Sequence, residues 1–126
     1  NMASIGDRIL DEGLSKLTSE ANRLDITSTE ATTYTEATAT NTLGNTTTIT
    51  ISAPADRTAT GGGRKVTLSA ISGANVTGNG NAQFYAITDT NNSRLLATGS
   101  LTTAQSVATG NTFSLQALDI GIPDPA

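Results

Sequence analysis

Two periodicities of hydrophobic positions divide the chain into a helical beginning and a β-rich remainder. Near the start, apolar residues recur at alternating spacings of four and three, and so lie along one face of a helix: Leu10, Leu14, Leu17, Ala21 and Leu24. We therefore predict a helix over residues 4–21. Its apolar stripe favours packing on a sheet, and it also resembles a short coiled-coil seam that would contact neighbouring subunits.

A strand and a polar loop are predicted over residues 22–45. Leu24 and Ile26 alternate with polar neighbours, as in a half-buried strand. Residues 28–45 carry almost no apolar side chains, which predicts a long surface loop with one helical turn around Tyr34 to Thr38.

From Thr46 onward the hydrophobic period becomes two, which is typical of strands. The pairs Ile49/Ile51 and Val66/Leu68 each lie on one face of a predicted strand. Residues 81–88, "NAQFYAIT", are apolar on both sides, as in a central strand. Further short strands are predicted at 93–99, 105–109 and 112–118, and the prolines of the final "GIPDPA" exclude another central strand. The prediction is a mainly β, single-domain protein over 1–126, with an N-terminal α-helix and an antiparallel, jelly-roll-like β-sandwich over 46–122.

Composition adds that the core is thin and the surface acidic. Threonine makes up roughly a fifth of the residues, and the only aromatic residues are Tyr34, Phe84, Tyr85 and Phe113. Small cores often gain burial by oligomerisation, so we expect a homo-oligomer, with a trimer favoured. The net charge of −4 argues against binding nucleic acid, and no apolar run has membrane-spanning length. We recognise no signal peptide, and we expect Met2 to be the natural start.

The triglycine of "TATGGGRKVTLSA" is the first candidate for chemistry. A phosphate-binding P-loop needs a strand, then GxxxxGK[ST], then a helix. Here Gly61 to Gly63 lead into a predicted strand and Lys65 is followed by Val66. We interpret the triglycine as a turn.

Metal and catalytic sites are expected to be absent. Asp89, Asn91 and Ser93 begin like a calcium loop, but Arg94 and Ser100 stand where an EF-hand needs Gly and Glu, so a polar hairpin turn is favoured. The chain has no His or Cys, so the common nucleophile–base pairs cannot form. The carboxylates of Asp25, Glu30 and Glu36 lack the aromatic residues that a glycosidase cleft needs. We expect no enzymatic activity and no cofactor.

The C-terminal "AITDTNNSRLLATGSLTTAQSVATGNTFSLQALDIGIPDPA" resembles the ending of a family of small structural proteins of tailed bacteriophages. "IGDRILDEGL" and "TTYTEATAT…LGN" are similar to the opening and middle of the same family. The resemblance spans nearly the whole chain and carries no catalytic motif. It implies a virion or virion-assembly role, with phage capsid or tail proteins as partners.

The leading hypothesis is a capsid decoration or stabilising protein that acts through symmetric contacts. Its candidate contact residues are Ile5, Ile9, Leu14 and Leu17 on the helix, with Tyr34 in the polar loop. The alternative is a tail or fibre module that binds a host glycan, for which Tyr34 and Tyr85 would supply the aromatic platform.

Overall fold

The computed structural model describes residues 7–58 and 60–123, and leaves the side chains of residues 7–10 and Thr102 undescribed. Within this range the chain is mainly β, with one α-helix near its N-terminal end and two antiparallel sheets. The predicted fold class is therefore confirmed, and the sheets are compatible with a β-sandwich. Their strand orders do not confirm the jelly-roll detail.

The described elements follow the chain as α1 (Asp7–Glu20), β1 (Arg23–Thr27), a π-helical turn (Glu36–Thr40), β2 (Thr42–Thr46), β3 (Ala55–Asp56), β4 (Arg64–Leu68), β5 (Ile71–Val76), β6 (Gly80–Asp89), β7 (Arg94–Val107), β8 (Thr112–Leu115) and β9 (Leu118–Ile122). They belong to two compact units. Unit 1 comprises Asn1–Glu20, Thr50–Ala70 and Gln116–Ala126, and unit 2 comprises Ala21–Ile49 and Ile71–Leu115. The single domain over 1–126 stays a prediction.

Unit 1 is a three-stranded sheet, ordered β3-β4-β9, with α1 packed on β4. Leu14 and Leu17 of the helix stripe are buried, as are Val66 and Leu68 of β4. Arg64 of β4 also reaches the helix, where its Nε donates to Asp11 Oδ1 at 2.8 Å. Of the two interpretations of the stripe, helix-on-sheet packing is the one that the described residues adopt. Residues 4–6 of the predicted helix lie outside the described range.

Unit 2 is a six-stranded sheet ordered β7-β6-β1-β2-β5-β8. The predicted central strand is present as β6, which pairs with β1 on one side and β7 on the other. One face of the sheet carries the buried apolar side chains of Leu24 and Ile26 from β1 and Ile87 from β6, which the register places side by side. The thin aliphatic core that the composition predicts is formed here.

Several predicted strand boundaries are wrong. The single strand predicted at 112–118 is divided between β8, which ends at Leu115 in the six-stranded sheet, and β9, which begins at Leu118 in the three-stranded sheet. The segment Thr46 to Ser52 was expected to be a strand, and its alternating part makes only a single bridge, between Ile51 and Leu68. The last part of the predicted polar loop instead forms β2, where Leu43 supplies the one large apolar side chain. The two strands expected at 93–99 and 105–109 are one long strand, β7, because β6 offers backbone partners along almost its entire length.

Candidate functional site

The polar loop between β1 and β2, residues 28–41, is folded back over the sheet of unit 2; we call it the Tyr34 loop. Ala31 and Ala37 of the loop are buried against Ala86 of β6, and Leu95 of β7 packs against the same cluster. The prediction of a surface loop thus holds for its polar side chains, while its alanines fill part of the core. Alanine permits this close approach because it brings only a methyl group to the sheet.

The centre of the Tyr34 loop is wound more widely than an α-helix. The backbone N–H of Asn41 donates to the carbonyl oxygen of Glu36 at 2.8 Å, five residues back, as in a π-helix. The Glu36 carboxylate accepts both the N–H and the hydroxyl of Thr32 at 2.8 Å. These bonds from Thr32 lower the pKa of Glu36. The helical turn predicted around Tyr34 to Thr38 is confirmed and continues to Thr40.

A buried ion pair on β1 anchors the loop. Arg23 donates from Nε and Nη2 to the two carboxylate oxygens of Asp25, at 2.8 and 2.9 Å. Asp25 is completely buried, and it also accepts the Thr42 hydroxyl at 2.6 Å. Arg23 Nη2 reaches the carbonyl oxygen of Thr38 in the π-helical turn at 3.3 Å. The ion pair thereby connects β1 with β2 through Asp25 and with the loop through Arg23, and the hydrogen bonds with Asp25 raise the pKa of the Arg23 guanidinium.

Tyr34 lies at the start of the helical turn and is half-buried. Its carbonyl oxygen accepts the Thr38 hydroxyl at 2.9 Å, so its backbone is fixed independently of its ring. Around it, Thr32, Thr33 and Thr35 are exposed. The loop therefore presents one half-buried tyrosine among hydroxyl groups, on a backbone held by hydrogen bonds from Arg23 and Thr38.

Tyr85 lies on the opposite face of the same sheet. It precedes Ala86, which faces the Tyr34 loop, and neighbouring residues of a strand point to opposite faces. The outer end of its ring lies over Gly99 of β7, the residue paired with it, since a Cβ built on Gly99 would stand 2.6 Å from Cε2 and from the hydroxyl oxygen. Burial raises the pKa of Tyr85. The two tyrosines thus do not form one aromatic platform.

The remaining contact residues proposed from the sequence are placed as follows. Leu14 and Leu17 are 4% and 8% exposed, so the chain itself already covers them. Ile5 lies outside the described residues, and so does the side chain of Ile9. In the part of the chain that the structure describes, Ile122 is the only exposed large hydrophobic residue. Contacts with other molecules at described surfaces would therefore be mainly polar.

The triglycine is a turn, as predicted, and it joins β3 to β4. Gly61, Gly62 and Gly63 have φ values of 97°, 64° and 91°, which glycine adopts most easily. Arg57 closes this hairpin by donating from Nη1 to the carbonyl oxygens of Thr60 and Gly62, at 2.9 and 3.0 Å.

The Asp89 segment is the predicted polar hairpin turn between β6 and β7. Asp89 Oδ1 accepts the N–H of Asn91 at 3.0 Å, and Oδ2 accepts the side-chain amide of Asn92 at 2.8 Å. The bond from Asn92, followed by the backbone bond from Asn91, lowers the pKa of Asp89. Among the described residues, no group of three or more His, Cys, Asp or Glu side chains is placed to hold a metal ion.

The three carboxylates considered for glycoside hydrolysis have separate surroundings. Asp25 is paired with Arg23, and Glu36 binds Thr32. Glu30 is exposed, at 3.5 Å from the Thr98 hydroxyl.

Sequence reasoning missed the Arg23–Asp25 pair. Its signal was the motif "RLDIT", in which the two charges stand two residues apart and therefore share one face of the strand, while Leu24 and Ile26 take the other. Opposite charges on one face of a strand with an apolar second face are a candidate buried pair. The hydroxyls of Thr27 and Thr88, both buried without a hydrogen-bond partner, gave no comparable signal.

Comparison with protein-family models, with curated proteins and with solved structures gave no match to this chain. Among the described residues no helix is long and apolar enough to cross a membrane.

Proposed function

We propose that this chain is a structural protein of a tailed-bacteriophage virion, with no catalytic activity, which stabilises a capsid through symmetric contacts between copies of itself. The resemblance of its opening, middle and ending to small phage structural proteins supports a place in the virion. The described contact surface that we assign to this role is the Tyr34 loop.

The observation that carries the proposal is the anchoring of the Tyr34 loop by the buried Arg23–Asp25 pair. A loop that is already ordered loses little conformational entropy on binding, so its contacts contribute more of their energy to affinity. Buried ionic groups are costly to form, and fixing one conformation is a recognised use of them. Here the ion pair holds a polar segment whose exposed side chains do not contribute to the hydrophobic core.

The contact chemistry would be hydroxyl-rich, with one aromatic anchor. Tyrosine is enriched at the energetic centres of interfaces because it buries a large ring and keeps a polar tip. In a closed oligomer each loop would meet the same partner surface, so each contact is repeated around the axis. On a particle, such repeated contacts between neighbouring copies would raise the barrier to rupture of the shell.

The edge of the six-stranded sheet is a weaker assembly surface. The edge strand β7 is 14 residues long, which invites pairing with another chain. However, its pairing with β6 shifts register twice, and such irregularities bend an edge away from a flat partner. We therefore place the contacts at the loop.

The alternative, a glycan-binding module at the tail or fibre, has less support. It relied on Tyr34 and Tyr85 as an aromatic platform, and the two rings belong to opposite faces of the sheet. Loss of binding on a glycan array in either the Tyr34→Ala or the Tyr85→Ala variant would favour it.

The proposal is tested by sedimentation at several protein concentrations, with and without EDTA, for the wild type, Tyr34→Ala and Tyr85→Ala. We expect a stable trimer that ignores EDTA, at least tenfold weaker association in Tyr34→Ala, and no change in Tyr85→Ala. The Tyr34 substitution leaves the carbonyl group that binds Thr38 in place, so the loop should keep its fold. Particles that lack the protein should rupture at lower temperature.

Three results would contradict the proposal. A monomer at all concentrations would remove the symmetric assembly, and a trimer equally stable in Tyr34→Ala would remove the Tyr34 loop from its interface. Dissociation in EDTA would show that a metal ion, and not the Tyr34 loop, holds the oligomer together.

A further inference from the structure

A small polar pocket lies on the sheet of unit 1, on the side of β4 that alternates with the buried Val66 and Leu68. It has a volume of about 210 Å³ and is lined by Arg57, Thr58, Lys65, Asp119 and Gly121. Lys65 of β4 is paired with Gly121 of β9, so strand register brings these residues together. Neither the assembly role nor the loop of unit 2 uses them.

Two basic residues, Arg57 and Lys65, line this pocket although the protein as a whole is acidic. Three of the seven Lys and Arg residues lie within nine positions, namely Arg57, Arg64 and Lys65, in a chain of net charge −4. Arg64 is paired with Asp11 and Asp56. Arg57 has no carboxylate partner among the described residues, and its hydrogen bonds go to the carbonyl oxygens of the triglycine turn.

The backbone fixes the position of the Arg57 side chain. Only its Nη1 donates to the turn, which leaves the Nε and Nη2 donors without acceptors among the described residues. A Cβ built on Gly121 would stand 2.9 Å from Arg57 Cδ and 3.1 Å from Nε. Gly121 therefore allows the arginine to lie across β9 at the pocket. An arginine held in this way is ready to bind a planar or tetrahedral oxyanion with two donors.

The second cation at the pocket, Lys65, is paired with one carboxylate but keeps hydrogen-bond donors available. Lys65 Nζ donates to Asp119 Oδ2 at 2.8 Å, and the Thr67 hydroxyl donates to Asp119 Oδ1 at 2.8 Å. Lysine has three donors, of which this pair uses one. Two cations and one carboxylate leave the pocket with one net positive charge, which matches a single anionic group.

From this geometry we infer that the pocket binds one small oxyanion group, a carboxylate or a phosphate, through the free donors of Arg57 and the ammonium of Lys65. Asp119 holds Lys65 in place and limits the affinity by its own charge. The site differs from a P-loop because charged side chains supply the hydrogen-bond donors. The triglycine serves only as the turn whose carbonyl oxygens accept hydrogen bonds from Arg57.

The test follows backbone and arginine Nε–H resonances by NMR during titration at constant ionic strength. The probes are sodium phosphate and sodium glucuronate, with neutral glucose as the control ligand. The variants are Arg57→Gln, Lys65→Gln and Asp119→Asn. Lys16→Gln is the matched control, because it removes the same charge from an exposed position on the helix.

We expect saturable shifts at Arg57, Lys65 and Gly121 with at least one of the two anions and none with glucose; the anion that binds more tightly identifies the source of the oxyanion group. Affinity should fall at least tenfold in Arg57→Gln and Lys65→Gln and stay unchanged in Lys16→Gln. Asp119→Asn should bind several times more tightly, because it removes a repelling charge and keeps the shape. The tighter binding of Asp119→Asn tests the inference even if Arg57→Gln disturbs the β3–β4 hairpin.

Absence of saturable shifts with both anions would overturn the inference. So would equal weakening in Lys16→Gln, which would indicate general charge attraction, or unchanged or weaker binding in Asp119→Asn.

Discussion

Arg23 and Asp25 form a two-bonded ion pair in which the carboxylate is completely buried and the guanidinium partly so. They stand two residues apart on β1, and their bonds extend to Thr38 and Thr42. The pair thus ties the loop, residues 28–41, to the sheet through the bond to Thr38, and it ties β1 to β2 through the bond to Thr42. The loop's position depends on charge and geometry as well as on its small apolar contacts.

Removing the cation of this pair should destabilise the protein strongly. Arg23→Gln leaves Asp25 buried without its counter-charge, and we expect a loss of about 3 kcal/mol in the free energy of unfolding. Urea unfolding followed by circular dichroism measures it. Lys16→Gln, on the exposed face of the helix, is the control and should change stability by less than about 0.5 kcal/mol. A loss as small as the control's would mean that solvent reaches Asp25.

The contact between Tyr85 and Gly99 should make Gly99 intolerant of a side chain. Gly99→Ala places a methyl group within 2.7 Å of the outer end of the tyrosine side chain, so that something must shift, and we expect it to cost about 1–3 kcal/mol. In a Tyr85→Ala background the same change should cost little, because the obstructing ring is gone. The double-mutant cycle is measured by chemical denaturation. Equal costs in both backgrounds would show that the ring is not the obstacle.

Glycine in the middle of α1 should be replaceable with a gain in stability. Gly13 is exposed, and a Cβ there would meet only Ile122 Cδ1 at an ordinary 3.8 Å. Gly13→Ala should therefore stabilise the protein by about 0.5–1 kcal/mol. Gly110 is the matched control, since it is equally open but has a φ of 92°, so Gly110→Ala should destabilise. Thermal melts would contradict the prediction if both changes had the same sign.

Acid should weaken the β6–β7 turn through Asp89. Its folded pKa lies below the unfolded value, so the stability it contributes is complete above about pH 4 and is lost as pH falls through the folded pKa. Asp89→Asn removes this titration. The wild type should therefore lose more unfolding free energy than the variant between pH 5 and pH 2. Parallel curves for the two proteins would contradict the role of Asp89 in the turn.

The elements predictable from sequence are those with a strong period or strong turn chemistry. The helix stripe of Leu14 and Leu17 and the central strand β6 are examples, as are the glycine and Asp89 turns. The prediction of a strand around Ile49 was wrong because local alternation does not reveal whether a neighbouring strand is available to pair with the segment. β2 was missed for the opposite reason, since pairing with β1 and β5 makes a strand from a sequence with few apolar side chains.

Less of the candidate site was predictable. Tyr34 was identified as an aromatic residue in a polar loop, but the ion pair that anchors that loop depends on long-range folding of Thr38 and Thr42 toward β1. The pocket at Arg57 was equally hidden. Its residues come from segments more than fifty positions apart, and strand register alone brings them together.

The division of each unit into separate segments has a consequence for biosynthesis. The helix α1 is synthesised well before β9, which belongs to the same unit, and in the sheet of unit 2 strand β1 is synthesised well before its partner β6. Such long-range pairing is typical of slow folding. Neither unit can be completed until residue 115 or later has left the ribosome. Nascent chains would therefore expose unfinished sheets until that point is reached.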